Sequence, residues 1–396
     1  MGSVWFFSIP AHGHVNPTLP VVRELAARGH AVRYYEVEAF RAKIEAAGAE
    51  FVSIEPYMPP APEDIDKVAG KDFASLIEMV ADTTVGLDAR IAEDIASGRP
   101  DVIVYDSVCF WGRLLAKKYG VPAICSTTTM AFNKETAKLM KQEIGEILRM
   151  MIGMPRIEKK MQLLREHGYE AKNFVSVIGN DETTDTIVYT SRMFQPSAEL
   201  FGEHYVFVGP TAARVPSVKD GRKRPQVYVS LGTVLSHNPR FYRACVRALG
   251  EMNVDAILSV GEKTDIASLG SLPGNVRVYP RVDQMEVLAG SDAFLTHCGM
   301  NSVQESLLSG VPMVLYPQHS EENAVAIRAE QLGAGVRLKR ATPRGIKKAI
   351  EEALENSAYR ENAMRVREDF LACGGVGEAA GFIERRVNEK KGCIVH

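Results

Sequence analysis

Residues 292–316 read Asp-Ala-Phe-Leu-Thr-His-Cys-Gly-Met-Asn-Ser-Val-Gln-Glu-Ser-Leu-Leu-Ser-Gly-Val-Pro-Met-Val-Leu-Tyr. A short apolar run at 293–295 empties into a polar turn holding His297, Gly299, Asn301 and Ser302. Val303, Leu307 and Leu308 then recur at helical spacing, and a second apolar run fills 311–316. The pattern predicts strand, turn, helix and strand. Its polar groups gather where a helix start leaves N–H groups unpaired, a place suited to an anion such as phosphate.

The same alternation extends outward in both directions. Strands are expected at 4–9, 31–36, 50–54, 102–105, 123–126, 187–189 and 205–208, with helices at 17–28, 38–47 and 111–118. A polar segment at 214–225, containing Gly221 and Pro225, breaks the rhythm. It restarts with strands at 227–230, 255–260, 276–279, 293–295 and 312–316, and helices at 240–249, 285–288, 301–308 and 323–330. Apolar strands alternating with helices predict an α/β protein with parallel sheets. At 396 residues the chain exceeds one ordinary domain. The expected division is 1–213, a linker at 214–225, 226–375, and a helix with tail at 376–396 crossing back toward the first half. Strand C-termini should line the ligand crevice in such sheets.

Hydrophobic residues make up 46% and charged residues 24%, with a net charge of -2. No field of one sign marks a nucleic-acid or anionic-membrane surface. Lys219, Arg222, Lys223 and Arg224 read as a solvated linker. The six cysteines (109, 125, 245, 298, 373 and 393) show no metal-binding spacing, and reduced cytoplasmic thiols are expected. No apolar run is long enough to span a bilayer, and no leader pattern is visible at the start. The final Cys393-Ile-Val-His fits a prenylation box poorly and reads as a frayed tail. Met140, Met150, Met151, Met154 and Met161 sit at loose helical spacing. They suit an adaptable helical core, a cleft for varied apolar ligands, or both.

Two further turns carry chemistry. Ser230-Leu-Gly-Thr233 follows a strand, with Gly232 allowing close approach of a ligand and Ser230 and Thr233 supplying hydroxyls. Glu305 lies one turn beyond Asn301 on the same helix face, where it accepts hydrogen bonds from hydroxyls rather than binding phosphate. Near the start, Ile9-Pro-Ala-His-Gly-His-Val-Asn-Pro-Thr-Leu19 follows the first strand. Gly13 suits a tight turn, and Asn16 with Pro17 reads as N-cap and first helical residue. His14 then falls just before a helix whose dipole favours the neutral imidazole. Asp106 ends the apolar strand 102–105 and should open onto the same edge.

Taken together, Arg281-Val-Asp-Gln284, Thr296-His-Cys-Gly-Met-Asn-Ser-Val-Gln-Glu305, Gly310-Val-Pro-Met313 and Pro317-Gln318 resemble the nucleotide-sugar signature of family 1 glycosyltransferases. The resemblance covers nearly the whole chain and is closest to the bacterial macrolide- and flavonoid-glycosylating enzymes. It implies the GT-B fold, two Rossmann-like domains facing across a deep cleft, and inverting transfer, chiefly of glucose, from a UDP-sugar to a hydroxyl of an aromatic or hydrophobic small molecule. It places Arg281 on uracil, with Val282 and Gln284 at the base. His297, Gly299, Asn301 and Ser302 fall at the diphosphate, Glu305 at the ribose, and Ser230, Gly232 and Thr233 on the phosphate side. His14 becomes the catalytic base and Asp106 its partner. Phe110, Trp111, Met130 and Phe132 are candidates for the acceptor pocket.

The resemblance implies no tightly bound cofactor and no metal, with the UDP-sugar as co-substrate. The expected partners are that sugar and a small phenolic or hydrophobic acceptor, with no nucleic acid and no membrane span; a monomer is expected, with a weak dimer as the alternative. Two departures bear on specificity. Glu321 and Glu322 stand where the family has an Asp/Glu-Gln pair, and a carboxylate cannot donate the amide protons that Gln would. Asp283 replaces a usual proline, which should loosen the base-binding loop. These leave open another nucleotide-sugar, such as a dTDP-sugar or UDP-N-acetylglucosamine, or a lipid acceptor. A non-enzymatic nucleotide- or hydrophobic-ligand-binding protein is the remaining alternative. A nicotinamide dehydrogenase is disfavoured because no strand leads into GxGxxG.

Overall fold

The computed structural model describes residues 1–59, 73–133, 144–178, 183–213, 221–232 and 238–392. Two compact units emerge: Met1–Tyr189, Ser197–Thr211 and Gly374–His396 form one, Thr190–Pro196 and Ala212–Cys373 the other.

The first unit is built on β1 (Ser3–Phe7), β2 (Ala31–Glu36), β3 (Glu50–Ser53), β4 (Val102–Asp106), β5 (Ala123–Thr127), β6 (Thr186–Val188) and β7 (Tyr205–Phe207). The sheet runs β3-β2-β1-β4-β5-β6-β7, with every pair parallel. Its helices are α1 (His12–Val15), α2 (Leu19–Ala27), α3 (Arg41–Ala46), α4 (Phe73–Ser97), α5 (Phe110–Lys118), α6 (Ile144–Glu166) and α7 (Phe174–Ile178). Alternate residues of each strand feed cores on opposite faces. Trp5, Phe7, Tyr35, Ile103 and Tyr105 pack with α4, α5 and α6. Val4, Phe6, Tyr34, Val102 and Val104 pack with α2, α3 and a last helix at Gly375–Gly392, whose Ala379, Ala380, Ile383 and Val387 are buried there. Phe7 stacks on Tyr35 at 4.4 Å between ring centroids.

The second unit holds β8 (Gln226–Ser230), β9 (Asp255–Ser259), β10 (Val276–Tyr279), β11 (Ala293–Thr296), β12 (Met313–Leu315) and β13 (Gly335–Arg337), ordered β10-β9-β8-β11-β12-β13 and parallel throughout. Between them lie α8 (Pro239–Gly250), α9 (Gln284–Ala289), α10 (Met300–Leu308), α11 (Ser320–Gln331), α12 (Pro343–Glu355) and α13 (Ser357–Ala372), so the C-terminal helix is α14 (Gly375–Gly392). Val227, Val229 and Leu258 pack with α8 and α12. On the other face Tyr228 stacks on Phe294 at 4.7 Å.

In each sheet the strand order reverses once, between β1 and β4 and between β8 and β11. Such a switch point parts the two flanking loops and opens a crevice at the strand C-termini. Both units are Rossmann-like, and together they give the GT-B fold.

The expected helix at 17–28 is α2, which starts two residues later than expected, and a separate turn of helix at 12–15 was not expected. One turn, α1, precedes α2, and Asn16 caps the end of α1 while Thr18 precedes α2. Pro20 falls in the first turn of α2, where its missing N–H costs nothing, whereas a helix begun at Pro17 would need that N–H. His14 lies near the C-terminal end of α1 and not at the start of α2, so the dipole argument for it falls.

Candidate functional site

In the first unit the switch point is occupied by α1, the loop after β1, and by the end of β4. His14 Nδ1 lies 2.8 Å from Asp106 Oδ2 and 3.2 Å from Thr128 Oγ1, just past β5. The other Asp106 oxygen accepts the Val108 N–H at 2.9 Å, so the carboxylate is held at both oxygens. Asp106 is buried, whereas the His14 side chain keeps 17% of its surface. An acceptor at Nδ1 fixes that nitrogen as the protonated one and leaves Nε2 as the basic nitrogen. The arrangement can take a proton at Nε2 and stabilise the imidazolium formed.

The proposed acceptor residues divide. Trp111 is fully buried at 0%, and Phe110 and Met130 are buried at 7% and 6%. Phe110 and Trp111 start α5 and pack into the core with Phe7 and Tyr105. Phe132, in contrast, is 53% exposed. Met161 is core, Met154 is partly exposed, and Met140 lies outside the described residues.

In the second unit, Ser230 ends β8 opposite Thr296, the last residue of β11. The Ser230 hydroxyl accepts the Gly232 N–H at 3.2 Å. His297 follows β11 and is wedged between two glycines. A Cβ on Gly232 would lie 2.6 Å from its ring and one on Gly299 2.5 Å, so neither position admits a side chain without moving the imidazole. Gly232 also holds φ +77, a left-handed conformation that glycine adopts freely. Cys298 takes φ 71 although it has a side chain, a strained turn that the Thr296 hydroxyl steadies by accepting the Cys298 N–H at 3.1 Å. Thr233 lies outside the described residues.

Gly299 is the N-cap of α10 and supplies no capping side chain. Asn301 and Ser302 fall in the first turn rather than at the cap. Ser302 is tied instead to Gln284, whose amide donates to Ser302 Oγ at 3.1 Å and to Glu305 Oε2 at 2.6 Å. Tyr228 OH donates to Gln284 Oε1 at 3.2 Å, completing a network across β8, α9 and α10. Asp283, expected to loosen this loop, does the opposite: as N-cap of α9 it accepts the Glu286 N–H at 3.1 Å. Val282 and the exposed Arg281 precede it.

Glu321 and Glu322 open α11. Glu322 Oε2 accepts the N–H groups of Gln318 at 2.7 Å and His319 at 3.2 Å, which explains a carboxylate here as a helix-start acceptor. Its Oε1 is 3.9 Å from His297 Nε2. Burial pulls the His297 pKa down to about 4, so the ring is neutral at pH 7. Burial likewise pushes Glu305 up to about 7, partly offset by the Gln284 bond.

Residues 217–368 match the family model of UDP-glucuronosyl and UDP-glucosyl transferases. The NDP-glycosyltransferase YjiC of Bacillus subtilis is 31% identical over 383 residues, covering 95% of each chain. The demethyllactenocin mycarosyltransferase of Streptomyces fradiae is 32% identical over 400 residues, 97% of this chain and 86% of that one. The chain is a family 1 glycosyltransferase. A solved glycosyltransferase of kitacinnamycin superposes with a TM-score of 0.83 at 29% identity, over 97% of this chain and 98% of that one. For this glycosyltransferase, sequence reasoning missed Thr128, the Gln284 network and the cap formed by Glu322. The first has no local signal, since it meets His14 only through the sheet.

No helix among the described residues is long and apolar enough to cross a membrane. Among the same residues no group of three His, Cys, Asp or Glu side chains is placed to hold a metal ion.

Proposed function

We propose that this glycosyltransferase moves a sugar from a nucleoside-diphosphate donor to a hydroxyl of a small hydrophobic natural product, inverting the anomeric centre. The observation that carries the reading is the 2.8 Å His14–Asp106 bond at the switch point of the first sheet. His14 Nε2 takes the proton of the acceptor hydroxyl as its oxygen attacks the anomeric carbon. The bond from that carbon to the diphosphate breaks, and its electron pair leaves with the nucleoside diphosphate. Asp106 stabilises the imidazolium.

The second unit supports the donor half of the proposal. The uncapped N–H groups of α10, with Ser302 and neutral His297 as hydrogen-bond donors, suit the charge of the departing diphosphate. Asn301, Gly299, Ser230, Gly232 and Thr233 complete the proposed phosphate contacts. Glu305 is assigned to ribose hydroxyls, Arg281, Val282 and Gln284 to the base, and Glu321 and Glu322 to the sugar. Phe132 is assigned to the acceptor; contact by the buried Met130, Phe110 or Trp111 requires their surroundings to open.

Relatives named as an NDP-glycosyltransferase and as a mycarosyltransferase favour a donor class broader than UDP-glucose. The test is release of nucleoside diphosphate from UDP-glucose, UDP-N-acetylglucosamine and dTDP-glucose, with and without a macrolide or flavonoid acceptor. Acceptor-dependent release from at least one donor is expected. Binding of every donor without turnover would leave a nucleotide-binding protein instead.

A further inference from the structure

Beyond the pair already described, the same edge of the first sheet holds a second carboxyl. Glu36 ends β2 and is 0% exposed. Its Oε1 accepts the Val37 N–H at 2.9 Å, while Oε2 is buried with no hydrogen-bond partner. A carboxylate so placed is costly, and a neutral acid far less so.

The sheet register fixes where Glu36 stands. Phe7 of β1 pairs with Tyr35 on one side and with Tyr105 on the other. One residue further on, Glu36 and Asp106 occupy the same row with β1 between them. Side chains at equal register in a parallel sheet point to one face, and two strand spacings put these about 10 Å apart. Tyr34, wholly buried on that face, feels both carboxyls, each of which opposes its ionisation.

We infer that Glu36 is a second carboxyl in the row of Asp106 whose charge, when it forms, is felt by His14 through the space between β2 and β4, and that its buried, half-unpartnered setting keeps the imidazole answering to one carboxylate only. Burial is the chief reason it stays neutral, pushing it up to about 8, with the charge of Asp106 adding to the effect. The groups around it are Asp106 on β4, Tyr34 on its own strand, Ser53 paired with it on β3, Ser8 just after β1 and Cys109 beyond β4. None of these is a cation. Ionisation of Glu36 adds a second negative charge near the pair and raises the proton affinity of His14 by roughly tenfold or less.

The inference rests on His14 as the base, yet its test needs no substrate. The His14 Cε1–H resonance of the free enzyme, assigned by its loss in His14→Ala, is titrated in the wild type and in Glu36→Gln. The wild type should show a second, smaller inflection at alkaline pH as Glu36 ionises, and Glu36→Gln should lack it. The folded state holds this proton more tightly than the unfolded chain, so wild-type stability falls as pH rises from about 4.5 toward about 8. Glu36→Gln should therefore gain Tm relative to the wild type across that range. A wild-type His14 curve with no alkaline inflection overturns the inference, whether or not the variant folds. So does the same inflection in both proteins. Loss of transfer in His14→Ala tests the base separately, so either reading can fail alone.

Discussion

His14 and Asp106 are 92 residues apart in sequence, and their side chains meet at 2.8 Å because β1 and β4 are neighbours at the point where the sheet reverses its order. The same reversal brings Ser230 and His297 together in the second sheet. Each unit thus gathers reactive groups at the one place in an open parallel sheet where adjacent loops diverge.

His14→Ala should lower the transfer rate by about 10²–10⁴-fold, the usual value of general base catalysis. Binding of UDP or dTDP, followed by calorimetry, should be unchanged. Asp106→Asn should also depress kcat with little change in KM, because the amide can donate to Nδ1 and select the wrong tautomer. Undiminished transfer by His14→Ala would remove the base from its role.

Gly299→Ala should weaken nucleotide binding about tenfold or more and cost about 1–3 kcal/mol of stability, since a Cβ there meets the His297 ring at 2.5 Å. Gly232→Ala should be worse, because φ +77 adds backbone strain to the same collision. Thermal melts and nucleotide titrations of the two variants would check the order.

Burial pushes Glu305 up to about 7, above the unfolded value near 4.5. A raised carboxyl favours the fold at low pH, and the benefit is lost as pH rises from about 4.5 through about 7. Melts over this range should show wild-type stability falling relative to Glu305→Gln. Parallel curves would mean that Glu305 is already ionised throughout.

Asp283→Ala removes the acceptor for the Glu286 N–H at the start of α9 and should cost about 1 kcal/mol. Because Gln284 follows it directly, nucleotide affinity should fall as well. Unaltered denaturant midpoints would show that the cap contributes nothing.

Much of this was legible from local pattern. The run 292–316 gave β11, α10 and β12 nearly to the residue, because an apolar strand, a glycine turn and a helical period leave separate marks. Asp106 was visible as a charge ending an apolar strand. Glu36 ends β2 with the same mark, but nothing local tells that it is buried while Glu50, which starts β3, is exposed. That depends on what covers each edge. The start of α2 was placed two residues early because Pro17 suits a first helical position, and only Pro20 three residues later shows that the ladder cannot start there. Trp111 and Phe110 looked like pocket aromatics, and their core packing follows from the face α5 turns to the sheet.

Joining the N-terminal half of one such enzyme to the C-terminal half of another needs, in the simplest plan, one crossover. Here a single join after residue 213 would deliver a foreign Ala379, Ala380, Ile383 and Val387 into the interior beneath Val4 and Phe6. A hybrid that keeps residues 374–392 with their native N-terminal half, and so is spliced twice, leaves that interior as it was.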